Sequence, residues 1–197
     1  MTKVIGLTGG FGTGKTFVAS LLRSSGAVVL DADRIAHDCI AKGKPAYRKI
    51  VAAFGPDVLG AGRRIDRTKL AAVVFGDTGR VRRLNRIVHP DVIAVIRRSL
   101  KKAGEDDIVV IDAPLLVEAG LARTVDSLIV VTCPRNAQIA RCMKKFCLGR
   151  QDVLKRIGNQ IPMAKKVAMA DFVIDNGKTK DGTRRQVKRI WKEIAWR

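Results

Sequence analysis

Gly9-Gly10-Phe11-Gly12-Thr13-Gly14-Lys15-Thr16 fits the pattern G-x-x-x-x-G-K-[ST]. Those residue types at that spacing answer the demands of a bound polyphosphate. Glycines allow the positive φ that curls a backbone and turns its N–H groups toward phosphate oxygens. A helix starting at the end of the curl adds its positive terminus. The Lys15 ammonium can reach the β- and γ-phosphates, and the Thr16 hydroxyl can bind a magnesium ion. Chance alone would give such a match on the order of once in a hundred chains of this size, so the context decides. Lys3-Val4-Ile5-Gly6-Leu7-Thr8 reads as a buried strand entering the loop, and Phe17-Val18-Ala19-Ser20-Leu21-Leu22 as a helix leaving it. That is the setting the motif requires. The competing reading is a glycine-rich turn between a strand and a helix.

Two groups of carboxylates follow strand-like runs. Asp31-Ala32-Asp33 ends Val28-Val29-Leu30, and an extended continuation would project both aspartates to one side. There they suit a general base for an attacking hydroxyl or an outer-shell magnesium ligand. Alternatively, Asp33 caps the next helix. Asp112 closes Ile108-Val109-Val110-Ile111 and matches a Walker-B acid, which holds magnesium. Its alternative is a turn residue before Pro114.

The elements that must position these groups alternate along the chain. Strands are predicted at 4–7, 28–30, 108–111, 128–132 and 172–174. The runs at 108–111 and 128–131 are continuously apolar, as in parallel strands covered on both faces. Helices are predicted at 33–41, 45–54 (opening on Pro45), from Asp66 through Phe75, at 80–88, 91–103, 135–146, 150–160 and 181–196. The excursion between the second and third strands, roughly 75 residues, far exceeds an ordinary loop and should form a helical insert. Ligands of open α/β sheets lie beyond the carboxyl ends of the strands, where an insert can hold a second substrate.

Composition narrows the classes. The chain has 197 residues, 47% of them hydrophobic, which suits one compact domain with a core and excludes disorder. The net charge of +20 favours anionic partners, or reflects a solvated basic surface. Aromatics are only 5% of residues, too few for a single-strand nucleic-acid platform, and no recognition module is visible. Cys39, Cys133, Cys142 and Cys147 form no C-x-x-C pair, and His37 and His89 are the only histidines. A structural zinc site is not expected, and free thiols in a reducing cytosol are. No targeting segment or apolar run of about 20 residues is visible, so a cytoplasmic protein without membrane association is expected.

At this point the motifs resemble the dephospho-CoA kinase family across nearly the whole chain. Ile5-Gly6-Leu7-Thr8-Gly9-Gly10 and the loop open the likeness, followed by Gly26-Ala27, then Asp31-Ala32-Asp33 with Ala36-His37. Gly43, Pro45, Phe54-Gly55, Ile65-Asp66-Arg67, Leu70, Val74-Phe75, Leu84, Ile87 and His89-Pro90 continue it. Pro114-Leu115-Leu116-Val117-Glu118, Arg141, Arg150, Arg156-Ile157, Gln160, Ala170-Asp171 and Val173-Ile174-Asp175-Asn176 complete it. D-A-D, H-P and P-L-L-x-E in this order are far more specific than the loop alone.

The resemblance implies an α/β fold: a P-loop kinase-type three-layer sandwich with a five-stranded parallel sheet, a helical substrate-binding insert and a helical lid. It implies a single domain, with core segments about 1–35, 105–135 and 170–197, an insert about 36–104 and a lid about 136–169. The implied activity is transfer of the γ-phosphoryl group of ATP to the ribose 3′-hydroxyl of dephospho-CoA, with magnesium. Gly10, Phe11, Gly12, Thr13, Gly14, Lys15, Thr16, Phe17 and Asn176 are then the ATP-binding residues. Asp33 is the catalytic base, assisted by Lys15 and by lid arginines Arg141 and Arg150. Asp31, Asp33, His89, Leu115 and Glu118 face the acceptor, and Thr16 and Asp112 the metal. A monomer or weak homo-oligomer without a specific nucleic-acid partner is expected. Departures from the family are Phe11 for an aliphatic residue, Thr16 for serine, and Lys145-Phe146-Cys147 where Arg-Asp-Gly is usual. Lysine cannot grip phosphate in the bidentate manner of arginine.

Overall fold

A computed structural model describes residues 2–74, 76–118 and 120–196. Phe75, expected at the end of a helix, lies outside the described residues. In chain order the elements are β1 (Lys3–Gly9), α1 (Lys15–Ser24), β2 (Val28–Asp31), α2 (Ala32–Cys39), α3 (Pro45–Phe54), α4 (Arg67–Val74) and α5 (Thr78–Lys102). They continue as β3 (Ile108–Asp112), β4 (Ser127–Thr132), α6 (Arg135–Phe146), α7 (Arg150–Gly158), α8 (Met163–Ala168), β5 (Phe172–Asp175) and α9 (Lys180–Trp196). The chain divides into two compact units, Met1–Leu30 with Ala103–Arg197, and Asp31–Lys102.

The first unit is built on a parallel sheet of order β2-β3-β1-β4-β5. Register places Leu7 beside Asp112, Gly9 beside Val131, and Thr132 beside Asp175. The carboxyl ends of β1, β3, β4 and β5 therefore share one edge. Every residue of β3 is buried, as are Leu128–Val131 of β4. This is why these runs read as continuous rather than alternating apolar stretches. Leu7, Val110, Ile129 and Ile174 pack with Val18 and Leu22 of α1 and with Val187, Ile190 and Ile194 of α9. Each such side chain contributes about 1.5–3 kcal/mol of apolar burial, which fixes α1, and with it the residues at its start, against the sheet.

The second unit is helical. Ile50, Val58, Leu70 and Val74 form its core, flanked by Phe54, Leu84, Ile87 and Val88. Asp66 caps α4 by accepting from the Thr68 and Lys69 N–H groups at 2.8 and 3.1 Å. Asp77 does the same for α5 through Gly79 and Arg80.

The two helices expected on either side of Pro90 are one helix. Proline removes a donor and crowds the preceding turn, at about 3 kcal/mol. Burial of Val92 and Ile96 beyond it, and of Leu84, Ile87 and Val88 before it, outweighs that loss. The helix expected at 150–160 stops at Gly158, and α8 was not expected.

Candidate active site

The loop joining β1 to α1 is held from inside and outside. Within it, the Thr13 N–H and hydroxyl both donate to the Gly10 carbonyl, at 3.1 and 2.9 Å. Gly12 and Gly14 have φ of 80° and 90°, which favours glycine over any other residue. Gly14 is the last residue before α1. A Cβ there would overlap the Asn176 amide nitrogen, and one on Gly12 would overlap the Cys142 sulfur.

From outside, Gln138 Nε2 on α6 donates to the Phe11 carbonyl at 2.7 Å, and the Phe11 N–H donates to Gln160 Oε1 at 2.8 Å. The Phe11 ring stacks on Phe146 with centroids 4.9 Å apart, and the Arg156 guanidinium lies 5.6 Å from its centre. Asn176 Nδ2 donates to the Thr13 carbonyl at 2.8 Å, while its Oδ1 accepts from the Thr183 hydroxyl at 2.9 Å. Arg141 Nη1 donates to the Asn176 carbonyl at 2.8 Å.

At the carboxyl edge the Lys15 ammonium is paired with the Asp112 carboxylate. Asp112 is buried, and an unpaired carboxylate there would be costly to desolvate. Thr16 is exposed on the first turn of α1, and Phe17 follows it half-buried, with the Arg184 guanidinium 5.8 Å above its ring. The hydroxyl of Thr16 and the carboxylate of Asp112 are oxygen donors of the kind a hard cation such as Mg²⁺ takes.

The segment after β3 is tied to α8. Pro114 offers its carbonyl to the Thr8 hydroxyl at 3.1 Å and to the Lys166 ammonium at 2.8 Å. Lys166, fully buried, also pairs with Glu118 at 2.8 Å, and the Ile161 N–H donates to the same carboxylate oxygen at 3.3 Å. Leu116 is buried and Leu115 is half exposed. Arg150 stands exposed at the first position of α7.

Three further site candidates lie in the helical unit. α2 begins at Ala32, so the extended geometry expected to put Asp31 and Asp33 on one side does not form. Asp31, not Asp33, is the cap: it accepts from the Arg34 N–H at 3.0 Å. That removes the capping role considered for Asp33, which stands exposed in the first turn. His89 sits half-buried inside α5, and burial pushes its imidazole below the ordinary range.

The first unit thus assembles Gly10–Thr16, Asp112, Arg141 and Asn176 through direct contacts. Gln138, Thr183 and Lys166 were not expected from the sequence. A glutamine inside a basic helix and a lysine in a short one carry no signal of burial, since both types are mostly exposed. Among the described residues, no helix is long and apolar enough to cross a membrane. All four cysteines are free thiols.

A family model described as dephospho-CoA kinase matches residues 3–181. The dephospho-CoA kinase of Carboxydothermus hydrogenoformans is 40% identical over 98% of this chain and 95% of its own. Among solved structures, the TT1252 protein of Thermus thermophilus superposes with a TM-score of 0.85 at 30% identity, covering 98% of this chain and 97% of that one. The dephospho-CoA kinase from Campylobacter jejuni gives a TM-score of 0.72 at 26% identity, covering 100% and 98%. A phosphate loop on a five-stranded parallel sheet, matched in sequence over nearly its full length, places the chain in the dephospho-CoA kinase family.

Proposed function

We propose that the chain transfers the γ-phosphoryl group of ATP to the 3′-hydroxyl of dephospho-CoA, releasing ADP and CoA. The bond between the γ-phosphorus and the β,γ-bridging oxygen breaks, a new 3′-O–P bond forms, and the hydroxyl proton leaves to Asp33 acting as general base. Lys15 and the loop N–H groups hold the phosphates and neutralise charge that develops on the transferring group. Asp112 and Thr16 would hold Mg²⁺, which when bound screens the phosphate charges. Lys15, now paired with Asp112, exchanges that partner for phosphate oxygens. Arg141 and Arg150 close over the donor and exclude water. His89, Leu115, Glu118 and Asp31 belong to the acceptor side. We place the enzyme in the cytoplasm, as a monomer or weak homo-oligomer.

The observation that carries this reading is the glycine loop with the Lys15 ammonium drawn to the carboxylate that ends the neighbouring strand. A coupled ADP-release assay with dephospho-CoA, adenosine and AMP as acceptors tests it. Dephospho-CoA should stimulate turnover at least about a hundredfold over the other two, the scale set by a site that hydrogen-bonds a specific acceptor. Stimulation by adenosine or AMP alone would assign the chain another acceptor class.

A further inference from the structure

We propose that Gln138 and Asn176 are positioning residues for the phosphoryl donor, each aiming one N–H group of the loop at the bound phosphates. The inference rests on the reading of the loop as a phosphate cradle. The Phe11–Gly12 and Thr13–Gly14 peptides are both trans, since the described chain has no cis bonds. In a trans peptide the carbonyl and the following N–H point in opposite directions. Gln138 Nε2 holds the Phe11 carbonyl at 2.7 Å, and Asn176 Nδ2 holds the Thr13 carbonyl at 2.8 Å. The N–H groups of Gly12 and Gly14 are therefore turned away from those two side chains.

The intervening N–H groups are already used by the protein. That of Phe11 goes to Gln160, and that of Thr13 goes to the Gly10 carbonyl. The loop thus alternates: N–H groups 11 and 13 serve the protein, while 12 and 14 are directed by an amide clamp on the preceding carbonyl.

Both clamps are built into the interior. Gln138 is 5% exposed and Asn176 is 8% exposed. The Asn176 amide is oriented by Thr183, whose hydroxyl donates to Oδ1 and leaves Nδ2 for the loop. The Asn176 clamp comes so close that a Cβ on Gly14 would overlap it, so the glycine serves the clamp as well as the φ angle. Phosphate binding to backbone N–H groups depends on their pre-set direction, because a peptide free to rotate must be reoriented at each binding event.

The test uses the whole chain with ADP as probe. Gln138→Glu and Asn176→Asp keep size but put a carboxylate oxygen against the carbonyl and abolish the donor. Each should weaken ADP binding by about ten- to a hundredfold, as expected for a lost buried hydrogen bond. The KM for dephospho-CoA should stay put. A site-specific signature separates aim from general loosening. In ¹⁵N-glycine-labelled protein, ADP should move the Gly12 and Gly14 amide resonances of the unaltered chain. Gln138→Glu should blunt the Gly12 response, and Asn176→Asp the Gly14 response. Gln138→Met, similar in volume and lacking the amide, carries the same expectation where the glutamate variant does not fold.

ADP affinity unchanged in both variants, or both glycines blunted equally in each, would overturn the proposal while leaving the cradle standing. An unaltered chain that does not bind ADP would overturn the cradle itself, and the proposal with it.

Discussion

The ion pair between buried Lys166 and Glu118 allows a ranked prediction, because its two halves are unequally wet. Lys166 is fully buried, whereas the Glu118 side chain is 21% exposed. Replacing Glu118 by alanine strands an ammonium in the interior with, among the described residues, the Pro114 carbonyl as its remaining partner. Breaking a buried pair in this way costs about 3–5 kcal/mol. Lys166→Met instead fills nearly the same volume with apolar atoms. It leaves a carboxylate that water reaches and that still accepts the Ile161 N–H. That loss should be about 1–2 kcal/mol. At about 2–4 °C per kcal/mol for a chain of this size, Glu118→Ala should lower Tm by about 6–20 °C and Lys166→Met by about 2–8 °C. Trp191 and Trp196 both lie on α9 of the same unit, so tryptophan fluorescence during urea or thermal unfolding reports the right region. Combining Lys166→Met with Glu118→Leu should recover much of the Glu118→Ala loss. A Lys166→Met loss equal to or above that of Glu118→Ala would mean that the lysine is not the costlier group to strand.

Lys15→Ala should weaken ATP binding and cut kcat together, by about a hundredfold or more in kcat/KM, as measured by steady-state kinetics; unchanged kinetics would contradict the phosphate-loop reading. Asp33→Asn should lower kcat by about 10²–10⁴ with the KM for ATP nearly constant, the pattern of a lost general base. Near-normal turnover would remove Asp33 from the chemistry. Burial lowers the His89 pKa, so the native protein holds fewer protons there than the unfolded chain, whose histidine titrates at about 6.5. The contribution of His89 to stability is then fully present above that pH and is lost as pH falls through the lowered native value. Circular-dichroism melts should show a shallower acid loss for His89→Gln than for the unaltered chain, and equal slopes would argue against the burial effect.

The strands were legible because parallel strands covered on both faces must be apolar throughout, and 108–111 and 128–131 are. The loop was legible because its chemistry restricts residue type at Gly9, Gly14, Lys15 and Thr16, at a fixed spacing. Pro90 misled because local chemistry says that a helix ends before proline, while the burial that carries α5 through is tertiary. α8 is only six residues long and opens after Pro162, too short for periodicity to register. The aspartates after β2 were separable only with coordinates, since a two-residue shift in where a helix starts exchanges the cap from Asp33 to Asp31. Asn176 stood out only as part of a family motif near the last strand. Its bond to Thr13 bridges 163 positions of sequence, and no local pattern encodes such a contact.

A kinase of this family phosphorylates one particular hydroxyl of its acceptor. Incubation with ATP, Mg²⁺ and dephospho-CoA, followed by ³¹P NMR of the product, tests it most directly. A new phosphomonoester resonance coupled to the ribose 3′ proton should appear in step with ADP. A phosphomonoester on the 2′ position, or ADP released with inorganic phosphate and no new ester, would contradict it.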